Sequence, residues 1–186
     1  MAKKIKGKEW YSVVAPKLFD NKVLGETPVD DIKKMKWRII SVPLINLTND
    51  MSKYYFKIQF RIVDLNGKAA NTEFAGLECL RDYISRMIRH GTNRIDTVQT
   101  LKTKNDKRFV VKTITITNKK IRRGLRKELI SFIKKVVQRR ADEMELDDFM
   151  TEVIDGSLKN EVMNDGSKIY PIRNFEVRKI EVPVKQ

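Results

Sequence analysis

The 186 residues contain a single cysteine, Cys79, and a single histidine, His90. One thiol cannot close an internal disulfide, and Cys79, set among Leu77, Leu80 and Ile84, reads as a buried core residue. Zinc sites need more His and Cys than this chain has, and a Cys79–His90 nucleophilic pair would need a reactive thiol where the pattern places a buried one. The eight glycines are scattered and form neither GxxxxGK[ST] nor GxGxxG, so no phosphate-cradling loop is present. No Pro- or Gly-rich linker, internal repeat or low-complexity tract divides the sequence, which predicts one domain over residues 10–186 behind a basic arm, residues 1–9. Apolar stretches all fall short of the roughly 18 residues of a membrane span. The opening MAKKIKGKEW is basic but leads into no apolar signal region, so the expected compartment is a reducing cytoplasm. Acids are also in the minority, 24 Asp+Glu against 39 Lys+Arg, for a net charge of +15. An excess of that size favours a phosphate-rich partner over a small-molecule substrate.

The cations concentrate in the run KKIRRGLRKELISFIKKVVQRR, from Lys119 to Arg140. Lys119, Lys120, Arg122, Arg123, Arg126, Lys127, Lys134, Lys135, Arg139 and Arg140 face one acid, Glu128. Ile121, Leu125, Leu129, Phe132, Ile133 and Val136 recur three and four apart, which predicts a helix with one apolar face. Lys120, Arg123, Lys127 and Lys134 then line the opposite side. Solvated helices ordinarily interleave acids and bases to gain i,i+4 pairing. This run does not, so its charge calls for neutralisation from outside: a helix with one face in a core and the other against a polyanion.

Around it the pattern is mainly β. Trp10 to Phe19 reads as a short strand broken at Pro16, followed by a loop to Lys36. Alternation over Trp37–Leu44 and Tyr54–Ile62 predicts two strands, and Asn66-Gly67 a hairpin turn into a return strand over about residues 68–74. Leu77, Leu80, Ile84, Met87 and Ile88 mark a helix closed by Gly91, with His90 at its C-terminal end. Strands follow at Arg94–Leu101 and Arg108–Thr117, then the basic helix, a short helix at Ser157–Met163 and a strand over Tyr170–Val184. In that last strand Phe175 and Val177 occupy one phase and Ile180 and Val182 the other, the mark of a bulge. The predicted class is α+β: a mainly antiparallel curled sheet or β-barrel-like core of about six or seven strands with packed amphipathic helices.

Two functional readings compete. Asp142, Glu143, Glu145, Asp147, Asp148 and Glu152 gather within about one helical span. They either cover a solvent face and pair with the basic helix or a basic protein, or bind magnesium for an RNA-processing enzyme using residues 142–152. Acids spread around one exposed helix seldom converge on a point, so no metal site and no catalytic residue is assigned. For the cations, Lys33–Arg38, Arg81, Arg86, Arg89, Arg94, Lys102–Arg108, Arg173, Arg178 and Lys179 add to the helix and the arm. Such dispersal suits a protein embedded among several phosphate backbones. Neither a helix-turn-helix nor a zinc finger is present, nor the RNP1 strand of an RRM, so folded RNA read by shape and phosphate is the expected ligand. The basic helix lacks the Trp of a membrane-surface helix, and no membrane is expected as partner.

An ordered set of residues resembles the archaeal and eukaryotic small-subunit ribosomal protein family known as S-three-a-e, or e-S-one. It comprises Trp10-Tyr11, Val14-Ala15-Pro16, Phe19, Gly25 and Thr27; Val42, Leu44, Leu47 and Asn49-Asp50; Phe74, Gly76-Leu77, Arg81-Asp82, Ser85 and Met87; Thr117-Asn118-Lys119-Lys120 and Arg122; and Ile169-Tyr170-Pro171 with Val177-Arg178-Lys179. The compact length resembles the archaeal type. The resemblance implies a mixed α/β protein with a β-barrel-like core on the platform of the small subunit, near the 3′ end of its rRNA and the messenger exit. Implied partners are small-subunit rRNA, neighbouring small-subunit ribosomal proteins and, at the exit, messenger RNA; no catalytic residue and no cofactor carry over. The RNA-binding residues are assigned from charge and amphipathicity instead: Lys3, Lys4, Lys6 and Lys8 of the arm, and Lys119, Lys120, Arg122, Arg123, Arg126, Lys127 and Lys134 of the run.

Overall fold

The structure, a computed structural model, describes residues 7–31 and 34–183. Its strands are β1 (Glu9–Val14), β2 (Val23–Val29), β3 (Ile39–Pro43), β4 (Phe56–Asn66), β5 (Ala69–Cys79), β6 (Arg94–Lys102), β7 (Arg108–Thr117) and β8 (Ile172–Glu181). Its helices are α1 (Ile45–Thr48), α2 (Arg81–Met87), α3 (Arg123–Glu143), α4 (Leu146–Asp155) and α5 (Ser157–Gly166). The eight strands form one mostly antiparallel sheet ordered β2-β1-β5-β8-β7-β6, with β3 beside β4 and β4 beside β5 off that path. The class is the expected α+β. The chain divides into two compact units between Gly76 and Leu77. No linker separates them, since β5 runs through the boundary.

In the first unit, β1 and β2 pair antiparallel, with Trp10 opposite Pro28. Gly25 and Pro28 suit a loop, yet residues 23–29 form strand β2. It is the end strand of the sheet order, where proline's missing N–H leaves no ladder bond unmade. Tyr11, Val13, Val29, Met35, Ile62 and Ala70 form a buried cluster backed by Leu24, Ile40 and Leu65. Phe56 and Phe60 are buried, whereas Tyr54 is exposed. The β4–β5 turn is Gly67-Lys68 rather than Asn66-Gly67. Gly67 has φ 62° and neither Asn66 nor Lys68 has a positive φ, which matches the hairpin type with glycine at the first turn position.

In the second unit, β7 spans the predicted residues and pairs with β6 and β8. Leu77 and Cys79 lie in β5 and not in the predicted helix, which begins only at Arg81. His90 falls beyond the helix C-cap, Ile88, in an exposed turn. The predicted bulge is present twice: the register with β7 skips Arg178, between Lys112↔Lys179 and Thr113↔Val177, and Arg173, between Ile116↔Asn174 and Thr117↔Ile172.

Helix α3 packs against β6 and α5, burying Leu129, Ile133, Val136, Val137 and Ala141. Four of these are Leu, Ile or Val; burying them contributes on the order of 6–12 kcal/mol, an upper bound because the unfolded chain already buries some of this surface. Phe109 of β7 meets Phe149 of α4 with ring centroids 5.3 Å apart. Gly156, at φ 86°, is at once the C-cap of α4 and the N-cap of α5, so the chain turns between the two helices through one left-handed residue. No helix among the described residues is long and apolar enough to cross a membrane.

Within the β6–β7 pair the buried hydroxyls of Thr97 and Thr113 lie 2.6 Å apart and satisfy one another. Thr113→Val alone leaves the Thr97 hydroxyl without this partner in the core and should lower stability by about 1.5 kcal/mol. The Thr97→Val/Thr113→Val double variant removes both polar groups and should recover most of that loss. Urea denaturation midpoints of the three variants test this, and losses that simply add would refute the coupling.

Candidate nucleic-acid interface

Helix α3 starts at Arg123, four residues after the start of the basic run at Lys119, and its neighbours explain why. The Thr117 hydroxyl donates to the Lys119 carbonyl at 2.7 Å, and the Tyr170 hydroxyl to the Lys120 carbonyl at 3.1 Å. The Asn118 N–H bonds the Pro171 carbonyl. Arg122 is the N-cap in an extended conformation, and the bond from the Arg126 N–H to the Arg122 carbonyl lies at the helix start. Lys119, Lys120 and Arg122 are therefore exposed cations on a pinned lead-in and not on the helix.

On the helix itself, Arg123, Arg126, Lys127 and Lys134 are all exposed. At 100° per residue, Arg123, Lys127 and Lys134 fall within about 40° of one another, and they span about 16 Å of axis. None of them, nor any cation of the lead-in, forms an ion pair among the described residues. Glu128, the one acid between Lys119 and Arg140, has Gly124, Leu125, Ser131 and Phe132 as its i±3 and i±4 neighbours, so it neutralises no base along the helix. The helix start reinforces the charge. Its first turn holds no acid, its N-cap side chain makes no capping bond, and Gly124 is open on its outer side. Free N–H groups at the positive end of a helix dipole and three nearby guanidinium groups, Arg122, Arg123 and Arg126, all favour an anion.

The far end of α3 behaves differently. Arg139 and Arg140 both donate to Glu161 of α5, Arg140 Nε at 2.7 Å, and Arg140 also reaches Glu152 of α4 at 3.5 Å. Their charge is cancelled inside the protein. Lys135, outside the predicted set although it belongs to the run, is also exposed and without an ion pair among the described residues. Lys8 is exposed in the first unit, while Lys3, Lys4 and Lys6 lie outside the described residues.

The acidic segment is not one helix. Asp142 and Glu143 end α3, Glu145 caps α4, and Asp147 and Asp148 occupy the first turn of α4, where they complement its dipole. Among the described residues no three His, Cys, Asp or Glu side chains are grouped to hold a metal ion.

A family model describing the ribosomal S3Ae family matches residues 1–185. The chain belongs to the ribosomal S3Ae family. Small ribosomal subunit protein eS1 of Methanopyrus kandleri is 36% identical over 187 residues, 96% of this chain and 87% of that protein. The proteins of the same name from Methanobrevibacter smithii and Sulfurisphaera tokodaii are each 34% identical, over 95% and 96% of this chain and 92% and 93% of their own lengths. These three relatives are archaeal proteins.

Cys79 and Glu176 are buried in the second unit. Burial pushes the Cys79 thiol up to about 12, with Glu176 adding to the effect, so it stays protonated. Glu176 is 3% exposed and accepts hydrogen bonds from Lys159 and, at 3.3 Å, from Tyr83. Burial raises its carboxyl above the usual range, and the Lys159 and Tyr83 bonds oppose that rise. A raised folded-state value means that the carboxyl's stability contribution is full below the ordinary Glu range and is lost as pH rises through the folded value. Lys159→Met leaves a buried carboxylate without its cation. It should cost about 3 kcal/mol at pH 7, the low end for a broken buried pair because Lys159 is half-exposed. The loss should shrink toward pH 4 as Glu176 takes up a proton. Guanidinium denaturation at the two pH values measures it, and an equal loss at both would show that the pair does not carry the effect.

Proposed function

We propose that this chain is a structural constituent of the small ribosomal subunit in the cytoplasm, held to rRNA by phosphate neutralisation. The observation that carries this reading is the outer face of α3 with its lead-in: Lys119, Lys120, Arg122, Arg123, Arg126, Lys127 and Lys134 are exposed, and none has an ion pair among the described residues. Membership of the S3Ae family supports it, as do archaeal relatives named small-subunit proteins. Within the subunit the proposed location is the platform, near the 3′ end of the rRNA and the messenger exit, with messenger RNA as a further contact there. Exposed Asp142, Glu143, Asp147 and Asp148 offer an acidic edge for basic neighbouring ribosomal proteins. The arm with Lys3, Lys4, Lys6 and Lys8 adds flanking phosphate contacts.

Each cation on a phosphate contributes about 0.7–0.9 to the log–log dependence of affinity on salt. Replacing Arg123, Lys127 and Lys134 with Ala should therefore flatten the slope for purified small-subunit rRNA by about 2. The thermal midpoint should hold, since the three side chains are exposed and Ala is a strong helix former. Filter binding across a salt series reads the slope; an unchanged value would remove α3 from the interface.

A further inference from the structure

A cleft of about 230 Å³ opens in the second unit between the start of α2 and the β7–β8 pair, and no α3 residue lines it. Four cations do: Arg81, Lys112, Arg178 and Lys179, with Glu78 as the one acid among its lining residues. Successive residues of a regular strand point to opposite faces, so Arg178 and Lys179 should not line the same cleft. They do so because the register with β7 skips Arg178, and such a bulge re-aims a side chain. Lys112 and Lys179 stand directly opposite one another across the ladder, a like-charge pair that on its own destabilises the sheet. Glu181 bridges them, at 2.8 Å to Lys112 and 2.7 Å to Lys179. Those bonds hold its carboxyl below the usual range. Arg81 and Arg178 have no ion pair among the described residues. Two free guanidinium groups beside a bridged lysine pair form a site whose electrostatics lack an anion.

We infer that this cleft is a second phosphate-binding site, formed by Arg81 and Arg178 as paired donors with Lys112 and Lys179 behind them. Guanidinium forks match the oxygens of a phosphate bidentately, and two of them beside two lysines suit an anion of more than one charge better than a single carboxylate. The volume admits a phosphodiester or a small phosphate compound and not a folded macromolecule. The RNA backbone is the source that the proposed function supplies, and that assignment rests on the proposed function; the phosphate chemistry of the cleft does not.

Two measurements separate these. In the first, inorganic pyrophosphate is titrated into the full chain while the arginine Nε–Hε resonances are followed by NMR. The resonances of Arg81 and Arg178 should move together and saturate. Glu78→Gln, which removes the opposing acid, should tighten pyrophosphate binding by about threefold, a gain that a misfolded variant would not give. Shifts confined to α3 arginines, or none at all, would overturn the site. In the second, Arg81→Gln/Arg178→Gln is compared with the unmodified chain for binding to purified small-subunit rRNA. Losing two phosphate contacts should flatten the salt slope by about 1.5, in addition to the change made by the α3 triple variant. An unchanged slope alongside saturable pyrophosphate shifts would overturn the RNA assignment and leave a site for small phosphate compounds. If the unmodified chain ignored rRNA altogether, the proposed function would fall, and the pyrophosphate titration alone would decide the cleft.

Discussion

Everything on the outer side of α3 depends on how firmly its inner side is seated. Leu129, Ile133, Val136 and Val137 are buried against β6 and α5, which orients the helix about its axis. Arg123/Lys127 and Lys135/Arg139 are like-charge pairs at i,i+4, each costing a few tenths of a kcal/mol. Burial of the opposite face outweighs that repulsion several-fold. The fold can therefore carry an uncompensated row of cations without a partner present, and the row is already aligned when a partner arrives.

The two ends of α3 divide the charge between inside and outside. At the C-terminal end the dipole already welcomes cations, and Glu161 and Glu152 also neutralise Arg139 and Arg140. At the N-terminal end the dipole opposes cations, yet Arg122, Arg123 and Arg126 gather there with no acid in the first turn. An arrangement that is unfavourable in the isolated protein is the one that a phosphate would relieve. The family relationship and the electrostatics thus lead to the same kind of partner by independent routes.

Much of the fold was legible in the residues. The β-branched residues of RFVVKTITIT marked β7 to the residue, and the phase change between Val177 and Ile180 revealed the bulge at Arg178. Signals failed where a distant segment decides a local conformation. Strand β2 looks like a loop because Gly25 and Pro28 are poor strand formers, and it becomes a strand only by pairing with β1. Leu77 fits a helical repeat with Leu80 and Ile84, but it continues β5. Lys119 to Arg122 continue the helical pattern, yet Thr117 and Tyr170 hold the Lys119 and Lys120 carbonyls away from it. The acidic segment, apolar and charged in helical rhythm, breaks at Met144 and Glu145 into two helices.

Composition and periodicity were enough to read a basic α+β protein with one long amphipathic, cation-rich helix. Those properties are local: they depend on spacing along a few turns or a strand and survive whatever the rest of the chain does. Which cations remain free was decided only by the tertiary structure. Glu161, some twenty residues beyond Arg139 and Arg140, reaches them because α5 packs on α3. Arg81 and Arg178, almost a hundred residues apart, line one cleft because a bulge turns one strand beside a helix start. Charge acts through space, so its balance is known only once the chain has folded.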